Sequence, residues 1–262
     1  MFTLYRKLIA SSIRAQMQYK LNFLSSAVTS GLIMVLDFAV LSAILYRFHD
    51  IAGWNLYEVG ILYGISSAAV SLYRLFAPEI HDFDRYVIQG ELDQLLIRPV
   101  SPLVLLLTRN LDLTRIGGVV QGLAILAISL SGMFLQGESI WLLLMFIPVA
   151  IISGSVVYFS IGLATAAASF WLHQVKDLQT FTLYAPANAS NYPVGLYPGW
   201  LKWLFFSVIP IAYINYVPML ALLGKGGSWY DPLLAPFVAG AALFAAVCIW
   251  RRGIRRYHST GS

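Results

Sequence analysis

The stretch EIHDFDRYVIQGELDQLLIR, residues 79–98, separates two apolar runs that are each long enough to cross a bilayer. It carries Glu79, Asp82, Asp84, Arg85, Glu91, Asp93 and Arg98. Charge this dense in a short connection marks a surface offered to water. Ile80, Phe83 and Val87 fall on one helical stripe, and Gly90 is a plausible stop. A second short helix fits 91–97, with Leu92, Leu95 and Leu96 as its apolar edge. Arg98-Pro99 ends it, because a residue before proline avoids the helical region. Two short amphipathic helices joined by glycine read as a docking element, and the plain alternative is a solvated loop.

The rest of the chain is apolar. Of its 262 residues, 59% are hydrophobic and 11% charged. Soluble domains carry about a quarter charged residues, so lipid must be the solvent here. A pI near 9.3 invites thoughts of nucleic acid. However, the basic residues sit at span ends, where anionic headgroups account for them. Cys248 is the single cysteine, so no intramolecular disulfide can form. His49, His81, His173 and His258 are too scattered for a metal site.

Outward from the charged stretch, the pattern gives an all-α membrane protein with six transmembrane helices. Residues 1–20 place Leu4, Tyr5, Leu8, Ile9 and Ile13 opposite Arg6, Lys7 and Arg14, as in a helix lying in the headgroup plane. The spans are expected at 22–46, 56–77, 102–135, 139–170, 177–192 and 230–250. A charged segment over 78–101 lies between spans two and three. Ser101 and Pro102 form a start signal, from which a helix could run unbroken to Leu135, about 50 Å.

Residues 178–197 are weakly apolar, whereas 199–223 are strongly apolar but broken by Pro210 and Pro218. If both cross there are seven spans; if one re-enters there are six. Six spans put fourteen Lys and Arg on the cytoplasmic side and three (Arg47, Lys202 and Lys225) outside. That bias favours six spans, both termini cytoplasmic, 177–192 as span five and 193–229 as an outer re-entrant segment. Trp54, Trp141, Trp200 and Trp229 fall at outer edges, and Trp171 and Trp250 at inner ones, as an aromatic belt would.

Enzymatic signatures are missing: no His-Glu-x-x-His, no G-x-S-x-G and no paired intramembrane aspartates. The chain is therefore expected not to be an enzyme. Asp37 stands alone in its span, at a cost of about 2.5–3.5 kcal/mol for a central carboxylate. It either lines a transport cavity or makes a hydrogen-bonded interhelical contact.

Two stretches resemble a known family. GELDQLLIRPVSPLVLLL, Gly90–Leu107, is similar to the signature cytoplasmic loop of bacterial ABC transporter permeases of the type-2 exporter superfamily. YPVGLYPGWLKWLFFSVIPIAYINYVPMLALLG, Tyr192–Gly224, resembles their outer segment. The resemblance implies a permease in the bacterial cytoplasmic membrane with no ATPase of its own. It would pair with a second permease, identical or homologous, and with two cytoplasmic ATP-binding subunits. Those subunits would hold the ATP and magnesium; this chain would need no cofactor. Phe83, Arg85, Glu91, Leu92, Asp93, Gln94, Leu95, Arg98 and Pro99 would couple to the ATPase, with Leu92 and Leu95 filling a groove on it. Asp37, Tyr192, Pro193, Pro198, Pro210, Tyr213 and Asn215 would line the translocation path or its outer gate. The cargo would be a lipid, glycolipid, peptide or cationic drug, exported by alternating access. A secondary transporter, a channel subunit and a non-transporting assembly subunit are the other classes considered. Further intramembrane charges or internal repeats would be needed for the first two, and neither is evident.

Overall fold

The computed structural model describes residues 53–172 and 175–257, Asp50, and separate helical positions between 21 and 43. The expected 1–20 helix and Asp37 lie outside the described residues. Within the expected 22–46 span, Leu24, Val28, Leu32 and Leu36 are helical and exposed.

Every regular element among the described residues is helical. Helix α1, Leu56–Phe76, starts at a capping box. Asn55 Oδ1 accepts from the Glu58 amide at 3.0 Å, and the Glu58 carboxylate accepts from the Asn55 amide at 2.7 Å. It ends at Ala77, ahead of Pro78. Three short helices follow: α2 (Pro78–His81), α3 (Phe83–Ile88) and α4 (Glu91–Leu96). Gly90 joins the last two at φ 69°, a left-handed turn that a side chain would strain.

The helix expected to run unbroken over 102–135 is interrupted. Helix α5 spans Pro102–Arg109, with Ser101 at the N-cap position but no bond from its side chain. Asn110 is extended, and the Asp112 amide donates to the Leu75 carbonyl at 3.0 Å. Asp112 then caps a new start, accepting from the Thr114 amide at 3.2 Å and pairing with Arg115 at 2.9 Å. Local bonds from an aspartate compete with helix continuation, which the apolar pattern alone does not register. The chain resumes as the 3-10 turn Leu113–Arg115 and helix α6, Ile116–Leu135.

Helix α7, Trp141–Ala167, is continued by a 3-10 turn to Phe170 and is the central post. It packs against α1 on one side and α12, Asp231–Ile254, on the other. Between them lie α8 (Lys176–Gln179), a π-helical turn over Thr180–Tyr184 and α9 (Ala185–Ala189). Lys176 to Ala189 covers only ~20 Å, short of the ~30 Å hydrocarbon core. Helices α10 (Gly199–Ser207) and α11 (Tyr216–Leu222) form a broken pair. Gly199–Ser207 and the Ile211–Leu222 segment meet at 73°. Among the described residues, four helical stretches are long and apolar enough to cross a membrane, five if this pair counts as one.

Helices α1 and α6 touch backbone to backbone. A Cβ added at Gly122 would sit 2.9 Å from the Ala68 nitrogen and 3.0 Å from the Gly64 carbonyl oxygen. Small residues permit such approach, which drives packing where lipid removes the hydrophobic incentive. Gly122→Val is therefore expected to cost about 1–3 kcal/mol, seen as a lower unfolding midpoint in detergent. Gly240→Ala, with open space at its Cβ, is expected to leave the midpoint unchanged or slightly raised.

Candidate functional site

Helices of four to six residues do not stand alone in water, so α2–α4 must be held from outside. Phe83 does this. It is fully buried, with ring centroids 4.7 Å from Trp250 and 5.4 Å from Phe170. Those partners close α12 and the α7 extension, so one side chain fastens the charged element to two long helices. Gly253 leaves the room, because a Cβ there would run into the Phe170 ring. Trp250 is 2% exposed, so it is a core residue rather than part of an inner aromatic belt. Its neighbour Trp171 is exposed.

A polar frame surrounds this anchor. The Tyr86 hydroxyl donates to Glu79, which also pairs with Arg85 at 3.3 Å. The Arg85 and Arg109 guanidiniums lie 5.1 Å and 5.2 Å from the Tyr86 ring. Burial, then the bond to the Glu79 carboxylate, pushes the Tyr86 phenol up to about 12, so it stays a neutral donor. Arg109 pairs with Glu91 at 3.4 Å, and Asp93 faces Tyr257 beyond α12.

These contacts revise the expected coupling set. Phe83, Leu92 and Leu95 are buried in the chain's own core and cannot fill a groove on another protein. Glu91 and Asp93 are engaged within the chain. The exposed residues of the element are Asp82, Arg85, Ile88, Gln89, Gln94, Leu96, Ile97, Arg98 and Pro99, with Glu91 and Asp93 half-buried. Ile97 is 84% exposed. Asp82, Asp84, Arg85, Ile88, Gln89 and Lys176 line a recess of about 390 Å³.

The α8–π segment joins this element to a second feature. Gln179 Nε2 donates to the His81 carbonyl at 2.8 Å, and the Tyr184 hydroxyl meets the His81 ring at 2.9 Å. Arg74 lies 5.4 Å over the Tyr184 ring. From the same segment, Leu178 and Thr182 face a cavity of about 630 Å³ bounded by α7, the α10–α11 bend and α12. Thr182 bonds Thr165 of α7 at 2.8 Å. The lining is mostly apolar, with hydroxyls from Ser160, Thr165 and Thr182.

Of the expected path residues, Pro210 and Tyr213 line this cavity together. Asn215 does not: it is fully buried, and its Nδ2 donates to the Leu62 carbonyl at 2.9 Å and the Ser190 carbonyl at 2.7 Å. Beside it the Ser66, Tyr158 and Ser190 hydroxyls form a closed triangle. Asn215 is thus a staple between α1 and the broken pair. Tyr192 is half-buried, Pro193 buried and Pro198 exposed, and none of them lines the cavity.

A family model described as ABC-2 family transporter protein matches residues 32–261, from the first apolar run through the charged element to the C-terminus. The chain belongs to the ABC-2 transporter family. It is a multi-pass membrane permease, in agreement with the resemblance carried by Gly90–Leu107 and Tyr192–Gly224. No curated protein matches the chain, and no solved structure does.

The anchor of this permease predicts two outcomes. Phe83→Ala removes a fully buried ring and is expected to cost about 3–5 kcal/mol, whereas Ile97→Ala is expected to cost well under 1 kcal/mol. Thermal unfolding in detergent measures both. His81 is the pH-sensitive joint. Burial first, then the positive charge of Arg74, hold its pKa below the ordinary 6.5; Asp82 opposes this, and Arg115 and Lys176 add to it. The unfolded chain therefore takes up the proton more readily. The contribution of neutral His81 is complete above pH 6.5 and is lost as the pH falls toward its folded value. The unfolding midpoint should drop on acidification through this window, and His81→Gln should flatten the slope.

Proposed function

We propose that the chain is the membrane half of an ATP-driven exporter in the bacterial cytoplasmic membrane. Its charged element is the coupling surface for ATP-binding subunits. The observation that carries this reading is the division of labour in 79–98. One face is fixed to α7 and α12 through Phe83 and Trp250, and the other turns Arg85, Gln94, Ile97 and Arg98 to water. A push on such an element moves the long helices with it. A loop of no mechanical use would not need a fully buried aromatic anchor.

In this reading two ATP-binding subunits bear the ATP and magnesium, and a second permease completes the translocation unit. Six spans are assigned in this reading: the 22–46 run, α1, the Leu113–Leu135 helix, α7, the 177–192 segment and α12. The helix of the fifth covers only part of the hydrocarbon core, and the α10–α11 pair packed beside it fills the rest. Both termini are cytoplasmic. The α10–α11 pair re-enters from the outer side. Irregular backbone at membrane depth survives where protein or a cavity covers it, which suits a segment that contributes Phe206–Pro210 and Tyr213 to the 630 Å³ cavity. That cavity, apolar with a few hydroxyls, suits an amphipathic cargo such as a lipid, glycolipid, peptide or cationic drug. Nucleotide-driven closure of the ATPases would rock the spans and turn the cavity outward.

Purification in mild detergent from the native host should bring down a Walker-type ATPase. Ile97→Asp with Arg98→Glu should abolish that association and export while leaving the unfolding midpoint unchanged, because both side chains are exposed. Retention of the ATPase and of full export by this variant contradicts the coupling assignment.

A further inference from the structure

We propose that the cleft between the start of α5 and the end of α12 binds the phosphate headgroup of an anionic phospholipid. The cleft has a volume of about 260 Å³ and is lined by Ser101 and Leu103 on one side. Val247, Trp250, Arg251, Ile254 and Arg255 form the other side. It is several times larger than the roughly 30 Å³ one water takes up in the liquid.

Four residues of α12 and Arg255 at its C-cap recur at i, i+3, i+4, i+7 and i+8, so they form one face of the helix end. Arg251 and Arg255 therefore project together into the cleft. Arg252 and Arg256 lie off this face and are not among the residues that line the cleft. Among the described residues no carboxylate forms an ion pair with Arg251 or Arg255. Two arginines and the Ser101 hydroxyl lining one cleft supply donors that suit the oxygens of a phosphate diester.

The depth of the site selects a lipid over a free anion. Helix α12 exposes Leu233, Phe237, Phe244 and Ile249 along its length, as a helix bathed in acyl chains does. The cleft opens at the end of that apolar stretch, where headgroups lie, and Leu103, Val247 and Ile254 give it an apolar wall. Basic pockets between helices on the cytoplasmic side are suited to anionic headgroups. Assignment of this end of α12 to the cytoplasmic leaflet rests on the topology proposed above; binding itself does not. A lipid here would bridge α5, which leads out of the charged element, to α12, which anchors it.

The test uses the full chain in detergent, titrated with dioleoylphosphatidylglycerol, dioleoylphosphatidylcholine or inorganic phosphate, with the unfolding midpoint as readout. Phosphatidylglycerol should raise the midpoint more than the other two. Arg251→Gln with Arg255→Gln should demand on the order of tenfold more phosphatidylglycerol for the same shift. Arg252→Gln with Arg256→Gln, which removes the same charge outside the cleft, should behave like the parent. Equal loss in the two double variants overturns the site in favour of a diffuse basic surface. Equal stabilisation by inorganic phosphate overturns the lipid assignment, and equal stabilisation by phosphatidylcholine overturns the charge requirement. No ATPase partner takes part, so the exporter reading can fail while this site stands, and the reverse.

Discussion

One buried contact organises the molecule: the ring of Phe83 between Phe170 and Trp250. The charged element is built from helices too short to persist alone, so its shape is borrowed from the spans. Without the ring, the frame of Glu79, Tyr86, Arg85 and Arg109 would rest on Ile80, Leu92 and the His81 contacts, with no aromatic tie to α12. With it, α3 is seated on the ends of α7 and α12, the two helices that also wall the cavity of about 630 Å³. Packed interiors do not deform continuously, so displacement at one end is carried to the other rather than absorbed.

The α8–π segment is the second link. It touches His81 through Gln179 and Tyr184 and presents Leu178 and Thr182 to the cavity. A π turn is an uncommon and costly backbone state that concentrates at functional sites. Here it shifts the helical register between Gln179 and Ala185, so the segment can serve the charged element and the cavity from one short stretch. The far end is fixed differently. Asn215 and the Ser66–Tyr158–Ser190 triangle hold the broken pair to α1 and α7 by hydrogen bonds, which are worth most where no water competes. Lys225 adds a clasp, pairing with Glu58 at 3.0 Å at the start of α1.

Much of this was legible in the sequence. Apolar runs announced α1, α7 and α12, and Gly90 with Arg98-Pro99 announced the helix–glycine–helix pattern of the charged element. What hydropathy could not register was local competition and tertiary choice. Asp112 breaks the 102–135 run through bonds to its own neighbours. Trp250 looked like a belt residue because a wheel cannot say whether an aromatic meets headgroups or Phe83. Leu92 and Leu95 looked like a docking edge, since periodicity shows an apolar face without showing what covers it. Tyr86, Phe170, Gln179 and Tyr184 carried no sequence signal as a group, being distant in the chain and joined by the fold.

The central claim is that the charged element and the helices it sits on move as one body. Spin labels at Gln94 and Arg252, in a Cys248→Ser background, report the distance between the element and the end of α12. In a complex with the proposed ATP-binding subunits, that distance should be single and unchanged between nucleotide-free and ATP-bound states, and it should broaden in Phe83→Ala. A distance that shifts with ATP in the parent protein would contradict the account, because the element would then move against the spans instead of with them.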